Sequence, residues 1–349
     1  MNKFNSIITL AIVAASFTAC KKDSNEPVIV VPPSDGSTLT LNGKTAESNY
    51  TNIVSVDLST DKQVSIDRKS FNLGFTSDSR FRVVLNASYQ STAVATSKTD
   101  ITAVTLADPG TNVNLNHDIM DPLTVSLVDY WDGDITKTAF AEVSANDADN
   151  KVYLLSYEGN KDKEKWFKVK VTRSANGYKV QYARIGETTI KTLDVAKNND
   201  YNLVFASLEN NKIVQAEPNK KAWDISWSYS TNNSGLGSPY WVQDFISINN
   251  LGGVQAAEIL KTDFEYASFT ETNLTSAKVI FSAAKDVVGT KWRTSPGQTG
   301  TGGAVKTDRF YLIKDGTGNI YKLKFNSYIS GDGGERGKPV IEYKLVKKA

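Results

Sequence analysis

Two stretches of this chain lie 152 residues apart and carry the same pattern. Phe71-Asn72-Leu73-Gly74-Phe75 and Trp223-Asp224-Ile225-Ser226-Trp227 both read aromatic, Asn or Asp, aliphatic, small, aromatic. Apolar residues at every second position describe a strand buried on one face. The correspondence continues down the chain. Arg82-Val83-Val84-Leu85-Asn86 matches Phe245-Ile246-Ser247-Ile248-Asn249, and each asparagine is followed at the same distance by Lys-Thr-Asp, at 98–100 and 261–263. The offset there is 163, so the second copy holds an insertion of 11 residues around Thr231 to Trp241. Tyr50–Leu58 further resembles Tyr201–Leu208, Asn150–Leu154 resembles Asn319–Leu323, and Tyr178–Tyr182 resembles Pro339–Tyr343. Matches in one shared order mark a duplicated unit. The expectation is two tandem copies of one domain, residues 37–185 and 186–349.

Each copy reads as antiparallel and all-β. Alternating runs recur at Phe167–Val171, Tyr178–Tyr182, Ile320–Phe325 and Val340–Leu345. Turn residues separate them: Ser174-Ala-Asn-Gly177, Lys314-Asp-Gly-Thr-Gly318 and Ser330-Gly-Asp-Gly-Gly334. Asp315-Gly316 between two strand-like runs signals a hairpin. No stretch carries a long capped helical period, and only Ala256–Leu260 (AAEIL) admits a short helix.

The first residues differ in kind. A lysine precedes the apolar run Ile7–Phe17, and Thr18-Ala19-Cys20 follows. A basic start, a short apolar core and small residues before a cleavage point make a secretory signal, and the run is too short to span a bilayer as a helix. Cys20 is the chain's one cysteine, so no internal disulfide can form. It stands where a bacterial lipobox places its lipid-bearing cysteine, with Phe17 where leucine is commoner. This gives a signal peptide over 1–19, lipidation at Cys20 and a tether over 20–36, polar for the most part and with three prolines. Forty basic and 38 acidic residues leave a net charge of +2 without a basic stripe, so nothing asks for nucleic acid.

The ordered set of features resembles the HmuY family of surface lipoproteins. It comprises the lipobox, the strand Trp223-Asp224-Ile225 followed by Ile248-Asn249, and the glycine-rich stretch 295–303. The strand Arg309–Gly316 and a hairpin from Ile320–Phe325 through Gly337–Tyr343 complete it. The second copy carries the resemblance best. It implies an all-β fold, haem or a related tetrapyrrole captured at the cell surface without catalysis, and delivery to an outer-membrane receptor. It implies no metal apart from the haem iron, and a chain exported and lipid-anchored to the outer membrane.

The resemblance also implies two axial donors to the iron, and here the sequence departs from it. Haem iron accepts His, Met, Cys or Tyr. The chain has one histidine, His117, and beyond its first residue one methionine, Met120. Where family members place one ligand after the Trp-Asp strand, this chain has Ser228 and Tyr229. Where a second is expected, it has Lys261. His117, Met120 and Tyr229 are therefore the axial candidates, each against the reading of a surface loop or a packed strand aromatic.

Trp223, Ile225 and Trp227 read as inter-sheet core. Trp227, Ser228, Tyr240, Trp241 and Lys261 are candidates for a ligand pocket, with Tyr240 and Trp241 in an aromatic, glycine-hinged loop suited to a flat or carbohydrate-like ligand. The alternative function is thus a non-haem ligand-binding or glycan-binding adhesion protein on the same scaffold.

Carboxylates are plentiful enough for the paired acids of a glycoside hydrolase, which makes an enzyme using carboxylates a third and weaker reading. A lipidated Cys20 leaves no thiol nucleophile, and no Gly-x-Ser-x-Gly elbow accompanies His117. Zinc needs more His and Cys than the chain has. Asp132, Asp134, Asp147 and Asp149 sit in turn-like stretches, and Gly300–Gly303 precedes neither a helix nor a Gly-Lys-Ser/Thr.

Overall fold

The computed structural model describes residues 32–45, 50–108, 114–296 and 302–349, so Cys20 and its signal lie outside the described residues. Pro33–Ala349 form one unit of chain contacts. Among the described residues eighteen strands follow one another along it, with 3-10 turns between some of them. The first nine are β1 (Gly36–Thr40), β2 (Asn52–Asp57), β3 (Lys62–Asp67), β4 (Leu73–Thr76), β5 (Val83–Leu85), β6 (Thr92–Ala95), β7 (Val152–Ser156), β8 (Phe167–Ser174) and β9 (Gly177–Arg184). The second nine are β10 (Lys191–Ala196), β11 (Leu203–Ser207), β12 (Lys212–Val214), β13 (Ile225–Asn233), β14 (Pro239–Ile248), β15 (Gln255–Leu260), β16 (Arg309–Lys314), β17 (Ile320–Ser327) and β18 (Val340–Lys347). Every pairing between them is antiparallel. The all-β expectation holds.

The sheets repeat with a period of nine strands. The two five-stranded sheets run β10-β9-β8-β7-β6 and β1-β18-β17-β16-β15, and the two four-stranded sheets run β12-β11-β4-β5 and β3-β2-β13-β14. Each strand of one set has its counterpart nine places on. Yet the sheets do not follow the expected division at 185/186. Strands β1 to β3 pair with β18 and β13, while β10 to β12 pair with β9 and β4. The opening three strands of the two halves are exchanged. One body is therefore the continuous run β4–β12, and the other joins β1–β3 to β13–β18.

The cores follow the bodies. One contains Leu73, Phe75, Tyr178, Tyr182, Ala206 and Leu208, all within the β4–β12 run. The other gathers Leu41, Val54 and Val56 with Ile225, Trp227, Trp292 and Tyr343. Trp227 is fully buried and its ring lies against Gly43, where a Cβ would strike it. Burying such a side chain contributes about 1.5–3 kcal/mol.

Matched residues perform matched work. Asn86 Nδ2 donates to the carbonyls of Arg68 and Phe71, each at 2.8 Å, and Asn249 Nδ2 donates to those of Lys220 and Trp223, each at 2.9 Å. Both asparagines also cap a 3-10 turn. The hydroxyls of Tyr182 and Tyr343 reach Asn211 and Asp61, two residues at positive φ in equivalent hairpins.

Three expectations change. Ala256–Leu260 belongs to strand β15, because Ala256, Ala257 and Ile259 pack into cores on its two faces. The 11-residue insertion is an extension of the β13–β14 hairpin, with Asn232 opposite Tyr240 and Thr231 opposite Trp241, so both aromatics stand on a strand. Asn150–Leu154 leads into β7, whose counterpart is β16, so its likeness to Asn319–Leu323 in β17 is out of register. The Asp315 hairpin is present: Asp315 Oδ1 accepts the N–H groups of Thr317, Gly318 and Asn319.

Candidate functional site

A cleft of about 210 Å³ lies where the two four-stranded sheets meet. Its walls come from equivalent positions filled by different residues. In one sheet, Gly74 pairs with Phe205 on one side and Val84 on the other. In the counterpart sheet, Ser226 pairs with Ser55 and Ser247. One row is apolar, and a Cβ on Gly74 would meet both Val84 and the Phe205 ring. The other is a row of three hydroxyls on adjacent strands, spaced about 4.8 Å apart by the sheet. Phe71, Phe205 and Ala216 form a small apolar cluster with Ile53 and Leu203 beside them, and Trp223 adds an indole whose Nε1 is buried with no partner.

The serine wall is unusual for what it leaves unmade. Ser55, Ser226 and Ser247 are 4%, 7% and 9% exposed. Among the described residues, their hydroxyls make no hydrogen bond to the protein. Buried polar groups are nearly always satisfied, by protein, water or ligand. These three line the cleft.

Asp129, Asp134, Glu217 and Lys285 all border the cleft, and burial shifts three of them. Asp129 accepts the N–H of Leu85 at 2.6 Å and of Ala139 at 2.9 Å, and burial lifts its carboxyl to about 6. Glu217 accepts the N–H of Leu203 at 2.8 Å and is pushed up to about 7 by burial. Near neutral pH it is part carboxylic acid and can donate a proton to a hydrogen bond. Lys285 is held below its usual range by burial, with Asp129 opposing that effect. No carboxylate of the described residues lies within 4 Å of its ammonium.

The residues expected from sequence are scattered by the fold. His117 Nε2 lies 2.9 Å from Thr231 Oγ1, on the β13–β14 hairpin, and burial lowers its pKa to about 4. Met120 is 77% exposed. Tyr229 does line the cleft, but its hydroxyl donates to Gln243 at 3.0 Å. Its ring stacks on Trp241 at 4.2 Å, with the Arg68 guanidinium 4.8 Å above it. Burial also raises its pKa, which disfavours the phenolate an iron would take. Met120 therefore stands apart from the other two axial candidates, while His117 touches Thr231, a residue of the cleft wall that Tyr229 also borders; among the described residues no cluster of three His, Cys, Asp or Glu is placed for a metal ion.

Of the pocket candidates, Ser228 lines the cleft and donates to the Tyr229 carbonyl at 2.7 Å. Trp227 is core instead. Trp241 Nε1 donates to the Ala87 carbonyl at 2.9 Å, fastening the long hairpin to the β4–β12 body. Tyr240 accepts from Asn232 at 3.2 Å, and Lys261 is a surface residue 3.6 Å from Glu265. Neither Tyr240, Trp241 nor Lys261 borders the cleft. Trp223, read as core, stands half-buried on its wall. Sequence reasoning missed Ser55, Ser247, Phe205, Glu217 and Lys285. Only Ser226, Ser228 and Ser230, alternating with Trp227 and Tyr229, gave a visible sign of a polar face.

The family comparison agrees with the resemblance in the second copy: the HmuY family model, described as HmuY protein, matches residues 199–343. No curated protein and no solved structure matches the chain.

Proposed function

We propose that this HmuY-family chain is a non-catalytic capture protein whose ligand sits in the cleft between the four-stranded sheets. The family is a haem-binding one in general, so haem or a related tetrapyrrole is the first ligand to consider. The observation that carries the reading is the cleft itself, with one apolar aromatic wall and one wall of unbonded serines. Its volume lies below the roughly 300–1,000 Å³ of pockets that enclose a drug-sized ligand. A tetrapyrrole would therefore enter by an edge and project from the mouth.

Export and a lipid anchor at Cys20 belong to the same reading, with the outer membrane as the site and an outer-membrane receptor as the partner. A haemin titration of the mature chain bearing Cys20→Ser tests the ligand. Saturable binding supports tetrapyrrole capture. No binding at micromolar haemin removes it and leaves the second reading, a non-haem ligand on the same scaffold. That second reading draws on the exposure of Met120 and on the Tyr229 hydroxyl being held by Gln243.

A further inference from the structure

Resting on the reading that the cleft holds a tetrapyrrole, we infer that recognition is independent of the metal. The Ser55-Ser226-Ser247 row takes the carboxylate-bearing edge of the ring system, while Phe71, Phe205 and Trp223 take its apolar face. Four observations support this. The three serines are under 10% exposed, and their hydroxyls are adjacent across three strands and unbonded to protein among the described residues. The Lys285 ammonium shares the cleft and has no carboxylate of the described residues within 4 Å, so it is available to an anionic edge. The opposite row, at equivalent positions, carries Phe205 and Val84 and offers no donor. Among the side chains that could bind iron, Met120 lies at the surface, the Tyr229 hydroxyl is bonded to Gln243 and its ring stacked on Trp241, and His117 holds Thr231 through Nε2 while its Nδ1 is buried and unpartnered.

Chemically, each serine supplies one rotatable O–H donor, and hydrogen bonds to a carboxylate are stronger than neutral ones. The hydroxyls need no rearrangement, because the strands already hold them at sheet spacing. The aromatic wall supplies contact area without a directional requirement. A site built this way senses the edge and face of a planar ring, and leaves the centre of the ring unread.

The test compares haemin with metal-free protoporphyrin IX on the full mature chain carrying Cys20→Ser, by absorbance and by quenching of tryptophan fluorescence. The expected dissociation constants agree within about threefold, and bound haemin keeps the spectrum of iron without a protein ligand in both redox states. Ser226→Val with Ser247→Val weakens both ligands about tenfold or more, and the milder Ser226→Ala weakens both in the same sense should the double variant fold poorly. His117→Ala changes neither. Haemin binding at least tenfold tighter than protoporphyrin, with a protein-ligated spectrum lost in His117→Ala or Tyr229→Phe, overturns the inference while leaving tetrapyrrole capture standing. Binding of neither overturns both together.

Discussion

Asn72 and Asp224 hold the same corner in the two halves of the molecule. Asn72 Oδ1 accepts the N–H of Leu208 at 2.8 Å, and Asp224 Oδ2 accepts the N–H of Leu58 at 2.9 Å. Each ties the start of one strand to the end of a strand from the other half of the chain. The difference is charge. Burial lifts the Asp224 carboxyl to about 8, with Asp57 and Asp315 adding to the effect. A carboxyl raised in the folded state holds its proton more tightly there than in the unfolded chain. Its stabilisation is complete below about pH 4 and is lost as pH rises toward 8. Asp224→Asn should therefore fold, and should flatten the fall in melting temperature between pH 5 and pH 8. A variant whose melting temperature still falls as steeply as the parent's would place that dependence elsewhere.

His117 works in the opposite sense. Burial depresses its pKa to about 4, so protonation favours the unfolded chain. Its contribution is present above about pH 6.5 and lost as pH falls through 4, a difference of about 3 kcal/mol at most. Urea unfolding of His117→Asn should lose less stability than the parent between pH 6.5 and pH 4. Equal losses in the two proteins would show that this imidazole is not buried neutral.

Gly43 is required by its neighbour. A side chain there would run into the Trp227 ring and the Gly337 carbonyl. Gly43→Ala should destabilise by about 3 kcal/mol, the cost of forcing a packed core apart. Measured by chemical unfolding, a change under about 0.5 kcal/mol would mean that the ring can move aside.

The exchanged strands give the boldest contrast between fragments. Residues 70–218 hold a complete five-stranded and a complete four-stranded sheet, with all of one core. Residues 37–185 keep β1 and the β2–β3 pair without β18 and β13, which β1 and β2 pair with, and lack β10 to β12. The first fragment should give a cooperative thermal transition and a β-rich circular dichroism spectrum, and the second should not. The reverse result would mean that the halves fold without exchange.

Local pattern carried much of this. Alternation of Leu73 with Phe75, and of Ile225 with Trp227, determined strands with one buried side, because the two-residue period leaves no other way to bury those rings. The repeat placed Asn86 and Asn249 as counterparts, and each fills the same three hydrogen-bonding roles. Asp315-Gly316 determined a hairpin from turn chemistry alone. The extended hairpin at Tyr240 and Trp241 was misread because glycine and proline flank it. Gly235 and Gly237 occupy only the tip.

What the sequence could not decide was which copy of a strand pairs with which. β11 can lie beside β4 or β13 with the same registers, since both present the same alternation. The connection chooses. β3 ends at Asp67 and β4 begins at Leu73, and the link spans at most about 20 Å. Pairing β4 with β2 would require a return along a strand of about that length and a step across it, with nothing left for turning. The exchange relieves this, and it brings β2 and β13 of one sheet against β11 and β4 of the other. The cleft exists only because of that meeting. Ser55 and Ser226 lie 171 positions apart in the chain, and Phe205 stands in the other four-stranded sheet, so no local pattern could have shown them as one site.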